Sequence, residues 1–473
     1  MNMKKILILA LSLLWMPTLR AQRWLGGDIS LLPSYEDAGT KYYDRKGTEW
    51  SALNIFKDVG WRAMRVRLFV DPSNASDEHK GEGVCQDLPY VIRLSKQIKE
   101  AGLQLMLDLH YSDTWADPSK QFVPKRWERE STGVRARKYP KALADSVYAY
   151  TTHVLKTLKA EGIVPDMIQT GNEITYGMLW PAGKVMPDDD ANWDVFSSLL
   201  KAGVKACREQ CPEAQVIIHT EHAQDWNATR GYYERIGRYG VDYDVIGLSY
   251  YPMWHGTVRH LGVVIDSLHQ VFSKPVMIVE TAAYYSHEND PWESGKNHDG
   301  EAYPATVEGQ RQFVEDLVAE LSGHKCVTGL FWWFPEENGS GKQVTHNWLN
   351  RGLFDNRTGK ALPALSALRP FTVTGSGRGR RPFRPRPVID EPAEQWSPTT
   401  LIVMYDESVG KKYLKEAFEK SGAEIIYEYR IIHGFAIRKP DSMTLDEAIE
   451  YYKKVKGCIA VNKDRRVQLM EQH

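Results

Sequence analysis

The chain is expected to fold as a (β/α)8 TIM barrel followed by a small ferredoxin-like α+β domain, and three observations carry that expectation. Eight short apolar or β-branched runs recur through about the first 370 residues, each followed by a stretch with helical spacing. Glycines punctuate the joins. Beyond them the sequence breaks into a Pro/Arg/Gly-rich stretch and resumes with a second, shorter pattern of strands and helices.

The runs are Trp24–Ile29, Met64–Phe69, Gln104–Leu109, Met167–Thr170, Val216–His219, Val245–Ser249, Val276–Val279 and Leu330–Trp333. Between them Leu88–Ala101, Ala142–Ala160, Phe196–Arg208, Leu261–Phe272 and Val307–Leu321 repeat apolar residues three and four apart, the period of an amphipathic helix. Gly60, Gly102 and Gly162 stand where a helix stops, a left-handed position at which a Cβ is costly. An open doubly wound sheet would call for a Gly-rich phosphate loop after the first strand, and there is none.

The barrel is assigned to residues 22–371 and the linker to 372–398, where Gly-Ser-Gly-Arg-Gly-Arg-Arg-Pro-Phe-Arg-Pro-Arg-Pro has no periodicity and cannot bury a core. In residues 399–473, Leu401–Tyr405, Glu424–Arg430, Phe435–Arg438 and Ile459–Val467 are strands and Lys411–Lys420 and Leu445–Val455 are helices. The order is β-α-β-β-α-β.

Lys4 and Lys5, an apolar run from Ile6 to Met16 and the small residue Ala21 make residues 1–21 a secretory signal, with export to the periplasm or the outside. No Cys lies near the cleavage point to carry a lipid anchor, and no run is long enough to span a membrane. Five cysteines form neither a disulfide framework nor a zinc pattern. Cys207 and Cys211, four apart on a helix, are expected to be free thiols because helical Cβ directions seldom suit a disulfide. A net charge of -1 gives no basic field for nucleic acid. Fifteen Trp and 24 Tyr point instead to stacking surfaces and an uncharged ligand.

In such a barrel, working groups project from the carboxyl ends of the strands. There stand Asp28, Arg67, Asp108 with His110, Asn172 with Glu173, His219 with Glu221, Tyr250 with Tyr251, Glu280, and Trp332 with Trp333. Glu173 ends the fourth strand and Glu280 the seventh, facing each other across the mouth. Glycosidic cleavage needs such a pair, one carboxyl to protonate the leaving oxygen and one to attack, or to activate water at, the anomeric carbon. Taken singly, either glutamate is as well explained by an ion pair with Arg67 or a lysine. Position and type leave open which is the acid. Asn172 is placed to hydrogen-bond the hydroxyl beside the reacting carbon. Trp115, Trp127, Trp180, Trp226, Trp254, Trp292 and Trp348 lie outside the strands, where rings suit pyranoses.

Asp108-Leu109-His110-Tyr111-Ser112-Asp113-Thr114-Trp115-Ala116-Asp117-Pro118, Gly171-Asn172-Glu173-Ile174, Ser249-Tyr250-Tyr251-Pro252 and Glu280-Thr281-Ala282 resemble the arabinogalactan endo-β-1,4-galactanases of glycoside hydrolase family 53, from about Gly27 to Leu368. The chain is expected to act as a monomer; the resemblance implies retaining, endo-acting hydrolysis of the β-1,4-galactan side chains of pectin, with Glu173 as acid/base and Glu280 as nucleophile. It implies sugar contacts from Asn172, Arg67, Asp108, His110, Trp115, His219, Tyr250, Tyr251 and Trp332. No cofactor is expected for catalysis. Bacterial members hold a structural calcium between the loops after strands seven and eight; Glu288 and Asp290 are the oxygen donors available here, with Trp292 where a further ligand is expected.

Leu401-Ile402-Val403-Met404-Tyr405, Tyr427-Glu428-Tyr429 and His433-Gly434-Phe435-Ala436 resemble the inhibitor-I9 type propeptide domain of subtilases, which implies binding to a protease, a folding role, or packing on the barrel. Two other functions fit the same residues. One is hydrolysis of another β-glycan, mannan or glucan. The other is non-catalytic glycan binding, which the intact pair of carboxylates argues against.

Overall fold

A computed structural model describes residues 23–131, 141–187, 189–291, 293, 296, 298, 301–372, 396–406, 408–429 and 434–465. The signal segment, most of the linker and Trp292 lie outside them. Eight parallel strands close into a barrel: β1 (Trp24–Asp28), β2 (Ala63–Leu68), β3 (Gln104–Leu109), β4 (Met167–Thr170), β5 (Gln215–Thr220), β6 (Val245–Ser249), β7 (Val276–Glu280) and β8 (Val327–Trp333). The first and last strands seal it, Trp24 pairing with Gly329 and Asp28 with Trp333. Gly26 permits the β1–β2 contact, because a Cβ there would sit 2.1 Å from the Ala63 carbonyl oxygen.

Helices α1 (Ala52–Asp58), α2 (Leu88–Glu100), α3 (Ala142–Ala160), α4 (Trp193–Gln210), α5 (Trp226–Arg238), α6 (Val258–Phe272), α7 (Val307–Gly323) and the short α8 (Pro363–Ala367) return the chain after successive strands. Local chemistry sets their ends. Asp87 caps α2 by accepting from the Tyr90 amide, Val91, Leu94 and Ile98 form its buried stripe, and Gly102 turns the chain away at φ +73°. Gly60 and Gly162 do the same at +96° and +77°. Cys207 and Cys211 are free thiols at the end of α4.

Side-chain alternation then decides what faces inward. Ala63, Met106, Met167, Ile217, Val245, Met277, Val279 and Phe331 fill the barrel interior. Two residues further toward the carboxyl end, the same parity puts Arg65, Asp108, Gln169, His219 and Trp333 at the mouth, joined by Ser249 four residues beyond Val245.

The C-terminal unit forms a four-stranded antiparallel sheet of β9 (Trp396–Tyr405), β10 (Glu424–Tyr429), β11 (Gly434–Arg438) and β12 (Cys458–Arg465) in the order β10-β11-β9-β12. Helices α9 (Lys412–Ser421) and α10 (Leu445–Lys453) lie on one face over Leu401, Val403, Phe435 and Ile437. This is the ferredoxin-like arrangement. No helix among the described residues is long and apolar enough to cross a membrane.

Candidate active site

Gly171, at φ +95°, lets the chain leave β4 sharply, and Glu173 follows in the left-handed region at φ 46°. A side chain bearing a Cβ adopts that conformation at a cost, so the surrounding structure must enforce it, as it often does where a functional group is aimed. Glu173 receives a hydrogen bond on Oε1 from the Ser249 hydroxyl at 2.6 Å. No cation pairs with it among the described residues. Burial and the nearby Glu280 charge push its carboxyl well above the usual range.

Glu280 is held differently. The Arg65 guanidinium lies 2.8 Å from its Oε1, and the Tyr251 hydroxyl donates to Oε2 at 2.9 Å. Burial raises this carboxyl to about 7, with Arg65 and Tyr251 opposing the rise. Glu280 is therefore the group that ionises first, and Glu173 the one that keeps its proton.

Arg65 is the hub beneath the pair. Its guanidinium also meets Asp28 Oδ2 at 2.6 Å and Asp108 Oδ2 at 2.8 Å, and donates to Asn172 Oδ1 at 2.7 Å and Gln169 Oε1 at 2.9 Å. Burial would raise Asp108, but Arg65 and His110 outweigh it and hold the carboxyl at about 2. His110 accepts from the Ala116 amide on Nδ1, so its Nε2 carries the proton directed at Asp108 Oδ2, 2.9 Å away. The amide oxygen of Gln169 is occupied by Arg65, so its NH2 group faces His219 Nδ1 at 3.0 Å, leaving His219 Nε2 to donate to Ser249 Oγ at 2.9 Å. Burial and Arg65 keep that imidazole neutral.

The pair opens into a groove of about 2780 Å³. Arg67, His110, Trp115, Asn172 and Tyr251 all line it. The Arg67 guanidinium stacks 4.5 Å over Trp115, and Trp333 and Trp348 continue the aromatic wall, their ring centroids 5.6 Å apart. Asp108 and His219 belong to the layer behind, where they hold the groups that face the groove. Two expected sugar contacts are corrected. Trp332 is fully buried with its indole N–H on the Arg351 carbonyl oxygen, and Tyr250 is buried with its hydroxyl on the Gly256 carbonyl oxygen. Alternation sends both toward the helices and presents Trp333 and Tyr251 to the mouth instead. Among the loop tryptophans, Trp115, Trp226, Trp254 and Trp348 reach the groove, while Trp127 packs in the core and Trp180 in a separate buried cluster.

Sequence reasoning missed Arg65, Gln169, Ser249 and Arg351. The first three share the inward parity of Met106 and Val245, a signal present in the sequence. Arg351 follows β8 in a loop without periodicity, and stacks on Tyr284 and Trp348 at 4.3 and 4.8 Å. Glu221 was seen at its strand end but given no role. It is buried in the groove wall, accepts from Thr175 at 2.7 Å, and burial pushes it up to about 8.

The calcium expectation does not fit the side chains present. Glu288 is engaged by the Arg357 guanidinium, and Asp290 is buried. The ligating side chains that converge among the described residues are His287, Glu293 and His298, a nitrogen-rich set unlike the six to eight oxygens calcium takes.

Residues 24–368 match the family model described as glycosyl hydrolase family 53. A protein of Niallia circulans, described only as uncharacterised, is 36% identical over 358 residues, which span 73% of this chain and 93% of that one. Arabinogalactan endo-beta-1,4-galactanase A of Aspergillus niger is 31% identical over 335 residues, 69% of this chain and 89% of the relative. The GH53 catalytic domain of Ignisphaera aggregans superposes with a TM-score of 0.64 at 33% identity, covering 75% of this chain and 98% of that one. A fungal β-1,4-galactanase superposes at 0.61 with 28% identity, covering 74% and 99%. With its barrel matched end to end and a pair of carboxylates at the mouth, the chain is a glycoside hydrolase belonging to glycosyl hydrolase family 53.

Proposed function

We propose that this enzyme is an endo-acting, retaining β-1,4-galactanase that cuts galactan side chains of pectin, with Glu280 as nucleophile and Glu173 as acid/base. The observation that carries the roles is the unequal holding of the two carboxylates. Glu280 has a guanidinium and a phenol to stabilise its negative form; Glu173 has one hydroxyl donor and a negative neighbour.

Glu280 attacks the anomeric carbon while the glycosidic C–O bond breaks and the Glu173 proton passes to the departing oxygen. Water then enters, gives its proton to Glu173 and attacks the same carbon, releasing Glu280 as carboxylate. Two inversions leave the configuration retained. Asn172, fixed by Arg65 on Oδ1 and by donation to the Ala116 carbonyl oxygen at 2.7 Å, stands beside the reacting sugar. Arg67, His110, Trp115 and Tyr251 complete the contacts around it. No cofactor takes part in either step.

The substrate rests on the named galactanases among the relatives, and the endo action on a groove several times larger than the roughly 300–1,000 Å³ of small-molecule pockets. Export through the leader at residues 1–21 follows from its charge and apolar run, and N-terminal sequencing of the mature protein is expected to begin at Gln22. The functional test is product release from β-1,4-galactan, mannan and β-glucan by wild type, Glu173→Gln and Glu280→Gln. Galactooligosaccharides from wild type, with rates down by roughly three orders of magnitude or more in both variants, are expected. Cleavage of mannan or glucan alone would move the substrate and leave the roles; no cleavage by wild type would refute the reading.

A further inference from the structure

The C-terminal sheet has a face that its own helices do not cover. Register puts Tyr427, Ala436, Ile402 and Asn462 in one row across that face, and Gly434, Met404 and Ala460 in the next. The second row is seated on the barrel. Met404, Ala460 and neighbouring Ile459 are buried against Tyr176 and Trp180, with Met186 packed beside them. Lys184 reaches Asp406 at 2.8 Å over the same contact. This is the loop that follows Glu173: Tyr176 bonds His222 at 3.0 Å, and Thr175 bonds Glu221.

The first row lies outside that buried cluster. Tyr427 is 38% exposed on the edge strand, Ile402 and Asn462 are half-buried, and all three line the same groove as Glu173 and Glu280. The family match stops at residue 368, so these side chains lie beyond the shared barrel.

We propose that the C-terminal domain is an outer wall of the substrate groove, and that Tyr427, Ile402 and Asn462 bind sugar units of the chain remote from the cleaved bond. The proposal rests on the galactanase reading of the site. A phenol ring offers the flat face a pyranose stacks on, and the amide offers a donor and an acceptor to its hydroxyls. Only a chain long enough to run past the loop after Glu173 meets them. The domain therefore sets a preference for length and leaves the chemistry to the barrel.

The test uses the full chain carrying Tyr427→Ala or Asn462→Ala, both outside the domain's buried core. The quantity read is the ratio of kcat/KM on polymeric galactan to that on the shortest galactooligosaccharide the enzyme cuts. In Tyr427→Ala the ratio is expected to fall about fivefold, carried by KM on the polymer, the size of one aromatic contact. Met404→Asp, which places a charge in the seated row, should lower the ratio in the same way. An unchanged ratio in Tyr427→Ala and Asn462→Ala would overturn the proposal. So would an equal loss on polymer and short substrate in Met404→Asp, which would mean that the domain braces the loop rather than binds sugar. If wild type cuts another β-glycan, the same ratio on that glycan decides the wall, so the two readings fail separately.

Discussion

Tyr251→Phe removes one hydroxyl and keeps the ring packed on Trp254, 5.2 Å between centroids. What is lost is the 2.9 Å donation to Glu280 Oε2. A hydrogen bond to a charged group contributes about 1.5–3 kcal/mol, and one pH unit corresponds to about 1.36 kcal/mol, so the Glu280 carboxyl should rise by about one to two units. The sign follows from its role. As the proposed nucleophile it must be ionised in the free enzyme, so its titration forms the acid limb of kcat/KM against pH, and that limb, set by a carboxyl at about 7, should move to higher pH while the alkaline limb stays. Initial rates on galactan across the acid-to-alkaline range, with KM resolved at each pH, make the measurement. If Glu280 were the acid and Glu173 the nucleophile, the alkaline limb would move instead. That result, or an acid limb that does not move, would refute the assignment.

The remaining predictions test other parts of the same network. Ser249→Ala removes the 2.6 Å hydroxyl donor to Glu173, so the alkaline limb should rise by roughly one unit in the same profile. Glu221 is raised to about 8 when folded, against about 4.3 unfolded, so its contribution to stability is complete below the unfolded value and is lost as pH rises through the folded one. In Glu221→Gln the fall in Tm between acid and alkaline buffer should be smaller than in wild type by calorimetry. Trp333→Ala should raise KM on galactan by about fivefold with little change in Tm, whereas Trp332→Ala should destabilise the barrel by about 3–5 kcal/mol in urea unfolding, because Trp332 is wholly buried.

The barrel was legible because burial on both sides makes each strand a dense apolar run, and because Gly60, Gly102 and Gly162 mark the helix ends by a conformation that disfavours other residues. Glu173 and Glu280 were legible as a candidate pair because they are acidic at strand ends, where apolar residues would otherwise continue. Tyr250 and Trp332 were misplaced because neighbouring aromatics differ only in parity, and parity is fixed by the inward-facing residues two positions back: Phe331 in the interior for Trp333, Ser249 at the mouth for Tyr251. Arg351 and the seating of the C-terminal sheet on Tyr176 and Trp180 were not legible, since loop paths and contacts between separate folding units leave no period in the sequence.

That parity also explains how one barrel holds two glutamates differently, as their proposed duties require. β1, β2 and β3 direct Asp28, Arg65, Arg67 and Asp108 into the mouth, a charged layer whose guanidinium extends across to Glu280 on β7. β4, β5 and β6 direct Gln169, a neutral His219 and Ser249 to the same depth beneath Glu173. Glu221, at the end of β5, lies on this neutral side and is also held toward its protonated form. A carboxylate beside the charged arc is stabilised as an anion; one over the neutral arc meets dipoles and a negative neighbour, and keeps its proton. Exchanging the two duties would therefore take more than exchanging the glutamates. It would require moving a buried cation from one side of the mouth to the other, with the two aspartates that share it.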